Sequence, residues 1–160
     1  MTALAGCMVA CTGDTRSCHL TDGNTTSVHN LQLIVDTITD SGAAGDTSLE
    51  AFQLRWDQTD ENYHDKYDVI LSADCLFFKE TCQSLVRSIH NMLRPNGKAV
   101  IVAPNREGTF DNFKNLAEEL FTVEEIVDYS SEVTKAHESC LSDSSYNPDI
   151  HYPKLLILSK

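Results

Sequence analysis

The chain has 160 residues, of which 41% are hydrophobic, and its 24 acidic and 12 basic residues give a formal net charge of −12 at pH 7. This length fits one domain with a real core, although it is short for a complete α/β enzyme. The charge excludes a nucleic-acid backbone as the main partner, because phosphate binding depends on clustered Lys and Arg. No apolar run is long enough for a membrane helix and no secretory signal is recognisable, so we expect a soluble intracellular protein.

The first part of the chain alternates helical and strand patterns. Apolar residues at i, i+3, i+4 and i+7 from Leu4 to Cys11 predict a helix. Residues 17–20 predict a short strand, and the apolar stripe from Val28 to Ile38 predicts a second helix that ends near Gly42. Residues 49–54 predict the next strand.

The second part continues this alternation with four strands and two helices. The predicted strands are 67–72, 98–103, 122–129 and 154–159. The predicted helices are 82–93 and 110–120, and the turn residues Arg94-Pro95-Asn96-Gly97 end the first of them. Residues 130–149 are polar and weakly patterned, which predicts a surface loop or a weak helix.

Strands that alternate with helices predict an α/β fold with a mostly parallel sheet. No full helix is predicted between the last two strands, which favours an antiparallel pair at the C-terminal edge. The absence of an internal repeat or linker predicts a single domain over residues 1–160.

Polar or aromatic residues follow three of the predicted strands, at the carboxyl ends where such sheets bind ligands. Asp22 could accept the hydroxyl protons of a ribose, or it could cap the next helix. Trp56 could stack on an adenine, or it could be a core residue. Asp74 follows the small residue Ala73 and could orient an amine or a cofactor group, or it could be a helix cap.

Catalytic motifs of other enzyme classes are absent from the sequence. We find no nucleophile elbow, phosphate-binding loop, zinc-protease helix or paired carboxylates. The six cysteines include no Cys-x-x-Cys pair, so we expect reduced thiols and no metal site. Methyl transfer needs none of these groups, because a sulfonium already carries an activated methyl group. The sequence therefore favours a methyltransferase over a hydrolase.

Seven segments together resemble the seven-β-strand methyltransferases, and among them the group that methylates protein lysines. These segments are Leu4–Ala10, Leu20–Asn24, Leu54–Asp57, Ala73–Phe77, Leu93–Ala99, Asn147–Pro153 and Leu155–Leu158. The resemblance implies a Rossmann-like fold and S-adenosyl-L-methionine as the cofactor. It also implies a protein lysine as the methyl acceptor, with calmodulin as the expected substrate, although a net charge of −12 is unfavourable for an acidic partner.

The same resemblance implies roles for individual residues. Asp22 would bind the cofactor ribose, Trp56 would pack against the adenine, and Ala73 and Asp74 would lie along the cofactor and the lysine channel. Related lysine methyltransferases have an Asp-x-x-Tyr motif after the fourth strand, which here runs from Asp74 to Phe77. Phe77 would therefore form an aromatic wall and lack the hydroxyl contact.

The resemblance departs from the family pattern at the start of the chain. In the family, a first strand and a glycine-rich loop precede the helix that Leu4–Ala10 resembles, whereas this sequence begins at Met1. We therefore expect a partial methyltransferase domain without the first strand of the fold. Such a chain could be active, or it could be an inactive methyltransferase-like binding module. An oxidoreductase fragment is a third hypothesis, but it would need a dinucleotide fingerprint that is absent. We expect a monomer in the cytoplasm and nucleus, with no nucleic-acid or membrane partner.

Overall fold

The structure is a computed structural model that describes residues 3–58 and 60–160. Its residues group into two compact units, Met1–Thr59 (unit 1) and Asp60–Lys160 (unit 2). Within the described residues, none of the helices combines the length and the hydropathy that a bilayer-spanning segment requires.

Unit 1 contains two helices and a two-stranded parallel sheet. Its elements are α1 (Ala3–Thr12), β1 (Ser17–Asp22), α2 (Thr25–Ser41) and β2 (Ser48–Gln53). Strands β1 and β2 pair in register from Ser17 opposite Ser48 to Asp22 opposite Gln53. All four elements were predicted from the sequence, and their presence is confirmed.

Local sequence signals fix the ends of α2, and apolar packing holds it on the sheet. The Asn24 side chain accepts hydrogen bonds from the backbone N–H groups of Thr26 and Ser27, which caps the start of the helix. Gly42 ends the helix with φ at 68°, a left-handed conformation that glycine adopts without strain. The core of unit 1 consists of Ala10, Leu20, Leu31, Val35 and Leu49.

Unit 2 contains a four-stranded mixed sheet, in the order β3-β4-β6-β5. Its strands are β3 (Tyr67–Ala73), β4 (Leu93–Ala103), β5 (Thr122–Ile126) and β6 (Lys154–Ser159). Its helices are α3 (Lys79–Met92), α4 (Thr109–Ala117), α5 (Ser131–Cys140) and the short α6 (Pro148–His151). Strands β3 and β4 are parallel, whereas β6 is antiparallel to both β4 and β5. The α/β fold class and the antiparallel C-terminal edge are thus confirmed.

The core of unit 2 is densely packed, and α3 and α4 lie against each other. Its most completely buried apolar side chains, each exposed by 1% or less, include Cys82, Val86, Ile89, Ile101, Phe110, Phe113, Leu156 and Leu158. Two residues of β3 behave differently, because Val69 is 56% exposed and Leu71 is 38% exposed. Parallel strands normally bury apolar residues on both faces. The face of β3 that carries Val69 and Leu71 is therefore incompletely covered by other residues.

The described strands form a two-stranded and a four-stranded sheet. Two sequence expectations need correction. Helix α5 lies between β5 and β6, where a surface loop or a weak helix was predicted but no full helix, and none of its residues is buried. Residues 94–97 form a bulge inside β4 and not a turn outside it: Tyr67 pairs with Leu93 but Val69 pairs with Lys98.

Candidate functional site

Asp22 is the last residue of β1, and its carboxylate faces the loop that leads into α2. Asp22 Oδ1 accepts a hydrogen bond of 2.8 Å from the backbone N–H of Asn24. The cap of α2 is Asn24 itself, so the alternative role of Asp22 as the helix cap is wrong. Main-chain pairing continues past the strand, because the Leu54 N–H donates to the Asp22 carbonyl at 3.0 Å. The loop is therefore fixed against β2.

Trp56 lies at the same edge of the parallel pair as Asp22. It follows Leu54 by two residues and occupies a turn in which it is half-buried. Its neighbours Arg55 and Asp57 form an exposed ion pair with a 3.0 Å contact between Nη2 and Oδ2. The hydrogen bond from Arg55 lowers the pKa of the Asp57 carboxyl. The candidate residues of unit 1 are thus a carboxylate and an indole, each beyond the end of a strand.

Ala73 and Asp74 stand at the carboxyl end of β3 in unit 2. Asp74 has φ at 56°, in the left-handed region that aspartate tolerates better than most residues. Its N–H donates to the Val102 carbonyl of β4 at 2.8 Å, which holds this backbone conformation. The left-handed turn directs the chain out of the sheet immediately after the strand. Left-handed backbone costs energy at any residue other than glycine, so a non-glycine residue held there often marks a functional position.

The Asp74 carboxylate is paired with Arg106. Arg106 Nη1 donates a hydrogen bond to Asp74 Oδ1, and both side chains are partly buried. The guanidinium carbon of Arg106 also lies 4.7 Å from the centroid of the Phe77 ring. Phe77 is 50% exposed, so one part of its ring remains open to solvent. The structure therefore brings two of the three predicted residues of unit 2, Asp74 and Phe77, together around a cation.

Arg106 is a residue that the sequence reasoning missed. It follows the end of β4 at Ala103 by three residues, and β4 is the parallel neighbour of β3. Because the carboxyl ends of parallel strands meet at one edge, the rule that identified Asp74 would also have identified Arg106.

The turn that carries Arg106 has a fixed backbone. Glu107 and Gly108 both have positive φ, at 55° and 79°. The Asn105 side chain donates to Asp111 Oδ2 at 2.9 Å and accepts from the Asp111 N–H at 3.2 Å, which ties the turn to α4. The position of the Arg106 backbone is thus determined by its neighbours and does not depend on its own ion pair.

A cleft of about 240 Å³ in unit 2 is lined mainly by rings from α5, from α6 and from the residues on either side of α6. The His137 ring lies 4.4 Å from that of Tyr152, and its Nδ1 is 2.7 Å from the Tyr146 hydroxyl. His151 stacks on Tyr146. These rings satisfy one another, which indicates packing of α5 against α6. Among the described residues, no group of three or more His, Cys, Asp or Glu is arranged to hold a metal ion.

A family model described as lysine methyltransferase matches residues 2–120 of the chain. The chain belongs to this lysine methyltransferase family. The match includes all five predicted site residues, and it also includes Arg106.

A curated relative and two solved structures extend this result. The calmodulin-lysine N-methyltransferase of Arabidopsis thaliana is 27% identical over 163 residues, covering 96% of this chain and 52% of that protein. The chain thus spans about half the length of that curated relative. A methyltransferase from Pyrococcus furiosus matches with a TM-score of 0.59 at 14% identity, covering 99% of this chain and 69% of that one. A predicted O-methyltransferase, Atu636 from Agrobacterium tumefaciens, matches with a TM-score of 0.66 at 5% identity, covering 99% and 68%.

At these identities the solved structures show the fold alone. They establish that this member of the lysine methyltransferase family has the Rossmann-like methyltransferase fold that the sequence predicted. The roles assigned to Asp22, Trp56, Ala73, Asp74 and Phe77 stay predictions, and so does the single domain over residues 1–160.

Proposed function

We propose that the protein is an S-adenosylmethionine-dependent methyltransferase that methylates a lysine of calmodulin. The observation that carries this proposal is the similarity to the Arabidopsis calmodulin-lysine N-methyltransferase across 96% of the chain. Membership of the lysine methyltransferase family supports a protein lysine as the methyl acceptor. We further propose that the protein acts as a monomer.

The residues proposed to contact the cofactor have suitable chemistry. Within the described residues, the Asp22 carboxylate forms no ion pair, and only its Oδ1 accepts a hydrogen bond, from Asn24. A carboxylate has about four acceptor positions, so Asp22 can still accept the hydroxyl groups of a ribose. Trp56 offers a half-buried indole for an adenine. The single methyl group of Ala73 leaves the backbone at the end of β3 open to close approach.

The residues after β3 are suited to positioning an amine. When bound, S-adenosylmethionine supplies a sulfonium methyl group, so that a C–N bond to the lysine Nζ forms as the C–S bond breaks and an amine proton leaves to water. Asp74 is proposed to orient the amine by accepting a hydrogen bond from it. Phe77 is proposed to pack against the aliphatic part of the lysine, and it offers an aromatic face without a hydroxyl group. Both residues act by alignment, which is the main requirement of such a transfer.

Binding and transfer assays on two proteins test the proposal. S-adenosylhomocysteine is titrated calorimetrically into this chain and into a longer chain that extends upstream of Met1, and both are assayed for methyl transfer to unmodified calmodulin. We expect the longer chain to bind and transfer, and this chain to do so far more weakly, because this chain spans about half the length of the Arabidopsis relative. A longer chain without transfer activity would refute the proposal. Equal activity of the two chains would show that the additional residues are dispensable.

A binding module without catalysis is the second candidate function. The observation that favours it is the exposure of Val69 and Leu71 on β3, an edge strand of its sheet. Exposed apolar edge strands readily pair with another chain. Calorimetric titration with calmodulin, run beside the titration with S-adenosylhomocysteine, separates the candidates, because a module would bind calmodulin while neither protein bound S-adenosylhomocysteine.

A further inference from the structure

Asp74 and Phe77 hold a cation that belongs to the chain itself. Arg106 donates to the Asp74 carboxylate, and its guanidinium carbon lies 4.7 Å from the centroid of the Phe77 ring. A carboxylate beside an aromatic face binds an ammonium group by the same two interactions, an ion pair and a cation–π contact. We propose that Arg106 occupies the place of the substrate ammonium group and that an entering lysine displaces it. This inference rests on the function proposed above.

The structure allows the Arg106 side chain to leave while its surroundings stay in place. The backbone of Arg106 is held by the left-handed residues Glu107 and Gly108 and by the contacts of Asn105 with α4. The Asp74 backbone is held separately, through its hydrogen bond to Val102. The Arg106 and Asp74 side chains remain 24% and 29% exposed, so water can replace either partner. An ion pair of this exposure is weak enough for a competing cation to exchange with it.

The exchange makes Arg106 a specificity-determining residue. An uncharged side chain cannot compete with a guanidinium group for Asp74, whereas a lysine ammonium group can. Arg106 therefore disfavours uncharged residues at the site. It also lowers the apparent affinity for lysine, because lysine can enter only the fraction of molecules in which Arg106 is not paired with Asp74. The displacing lysine then loses its proton to water before it accepts the methyl group.

Kinetics of Arg106 variants in the longer chain test the inference. Arg106→Met keeps the length of the side chain and removes the charge, whereas Arg106→Lys keeps a cation. Unmodified calmodulin is the substrate, and KM and kcat are measured separately. We expect Arg106→Met to lower KM by about three- to thirtyfold, as for the loss of a partly exposed ion pair and a cation–π contact. We expect Arg106→Lys to stay close to the wild type.

The matched control is Arg94→Met, because Arg94 forms an exposed ion pair with Asp68 at 2.8 Å elsewhere in unit 2. Its KM is expected to equal that of the wild type. Arg106→Gln serves as a second uncharged variant if Arg106→Met does not fold, and titration with S-adenosylhomocysteine verifies the fold of each protein. A lowered KM supports the inference, because damage to the structure would raise it.

An unchanged or raised KM in a folded uncharged variant overturns the inference while leaving the proposed function intact. An equally lowered KM in Arg106→Lys also overturns it, since a retained cation should still compete with the substrate. Absence of transfer in the wild-type longer chain overturns the proposed function and this inference together.

Discussion

Charged side chains stabilise the two units in different ways. Two of the twelve Lys and Arg residues belong to unit 1, where Arg55 pairs with Asp57 only two residues away. In unit 2, ion pairs join elements that are far apart in sequence, as between Lys160 and Asp65. Unit 1 therefore depends mainly on apolar packing and helix caps, whereas unit 2 adds charged contacts to its core.

The two cores also differ in how completely they exclude water. The solvent exposure of the core residues of unit 1 ranges from 2% for Ala10 to 9% for Leu49. In unit 2 the buried aromatic residues Phe110 and Phe113 are fully covered. A two-stranded sheet with two helices offers little apolar surface to bury, and such small assemblies are marginally stable. We infer that unit 1 is the less stable half of the chain.

The largest expected effect comes from a pair of matched core substitutions. Leu156→Ala in unit 2 should lower the free energy of unfolding by about 3–5 kcal/mol, because this side chain is fully buried. Leu31→Ala in unit 1 should cost about 2–3 kcal/mol, because Leu31 retains 8% exposure and its site can relax. Hydrogen exchange followed by mass spectrometry reports on each unit separately. A larger loss from Leu31→Ala than from Leu156→Ala would contradict the comparison of the two cores.

The second prediction separates binding from stability in unit 1. In the longer chain, Asp22→Ala should weaken the binding of S-adenosylhomocysteine by about 1–3 kcal/mol, through lost charge-assisted hydrogen bonds. Protection of unit 1 from hydrogen exchange should change little, because the Asn24 side chain still caps α2 when the single bond from the Asn24 N–H to Asp22 is lost. Asp46→Ala, at an exposed loop position of the same unit, is the control. Unchanged affinity in Asp22→Ala would refute the ribose-binding role.

The sequence predicted the elements better than their assembly. Helix α3 was found because the run at 82–93 has a clear helical period, and the buried residues of α3 follow it. Strand β3 was found from the apolar run at 67–72, although burial does not follow that run, since Val69 and Leu71 are exposed. The bulge at 94–97 was missed because Pro95 and Gly97 carry the same signals in a turn and in a bulge. Helix α5 was predicted only as a surface loop or a weak helix, because a helix without buried residues leaves little apolar periodicity. These failures occur where local propensity is not tied to a core.

The sequence identified residues of the candidate site but not the contacts between their side chains. Asp74 and Phe77 were identified from their place after a strand and from the family motif. Their shared partner Arg106 lies about thirty residues further along the chain, and its contact with Asp74 depends on the pairing of β3 with β4. Side-chain partners of this kind follow from strand order, which a periodic pattern does not specify. The cap of α2 shows the same limit, since Asp22 and Asn24 are equally good capping residues and only the structure distinguishes them.

The third prediction compares one glycine from each unit. A Cβ added to Gly97 would lie 2.9 Å from the Arg94 carbonyl oxygen and 3.2 Å from that of Asp68, which is too close for backbone atoms. Gly97→Ala should therefore lower the free energy of unfolding by about 1–2 kcal/mol. Gly23→Ala in unit 1 is the matched control, because its nearest contact would be an ordinary 3.6 Å. Equal melting temperatures for Gly97→Ala and the wild type would show that the β4 bulge adjusts without cost.

The smallest expected effect concerns the pH dependence of unit 2. Lys160 Nζ donates to Asp65 Oδ1 at 2.7 Å and also to the carbonyl oxygens of His90 and Leu93, near the end of α3. The hydrogen bond from Lys160 is the main cause that lowers the pKa of the Asp65 carboxyl below its ordinary 3.8. Because the folded pKa lies below the unfolded one, the pair stabilises unit 2 above pH 3.8, and this stabilisation is lost as the pH falls through the folded pKa.

Two variants separate the charge contact from the carbonyl contacts of Lys160. Asp65→Asn should remove only the pH-dependent contribution of the Lys160–Asp65 pair to the stability of unit 2. Its melting temperature should therefore fall less steeply than that of the wild type on acidification from pH 6 to about pH 3. Lys160→Met should show the same shallow dependence and a lower melting temperature at every pH, because it also loses the bonds to His90 and Leu93. Lys135→Met, at an exposed position of α5, is the control. If the melting temperatures of Asp65→Asn and the wild type fell equally steeply on acidification, the ion pair would contribute nothing. Lys160 would then stabilise unit 2 only through its hydrogen bonds to the carbonyl oxygens of His90 and Leu93.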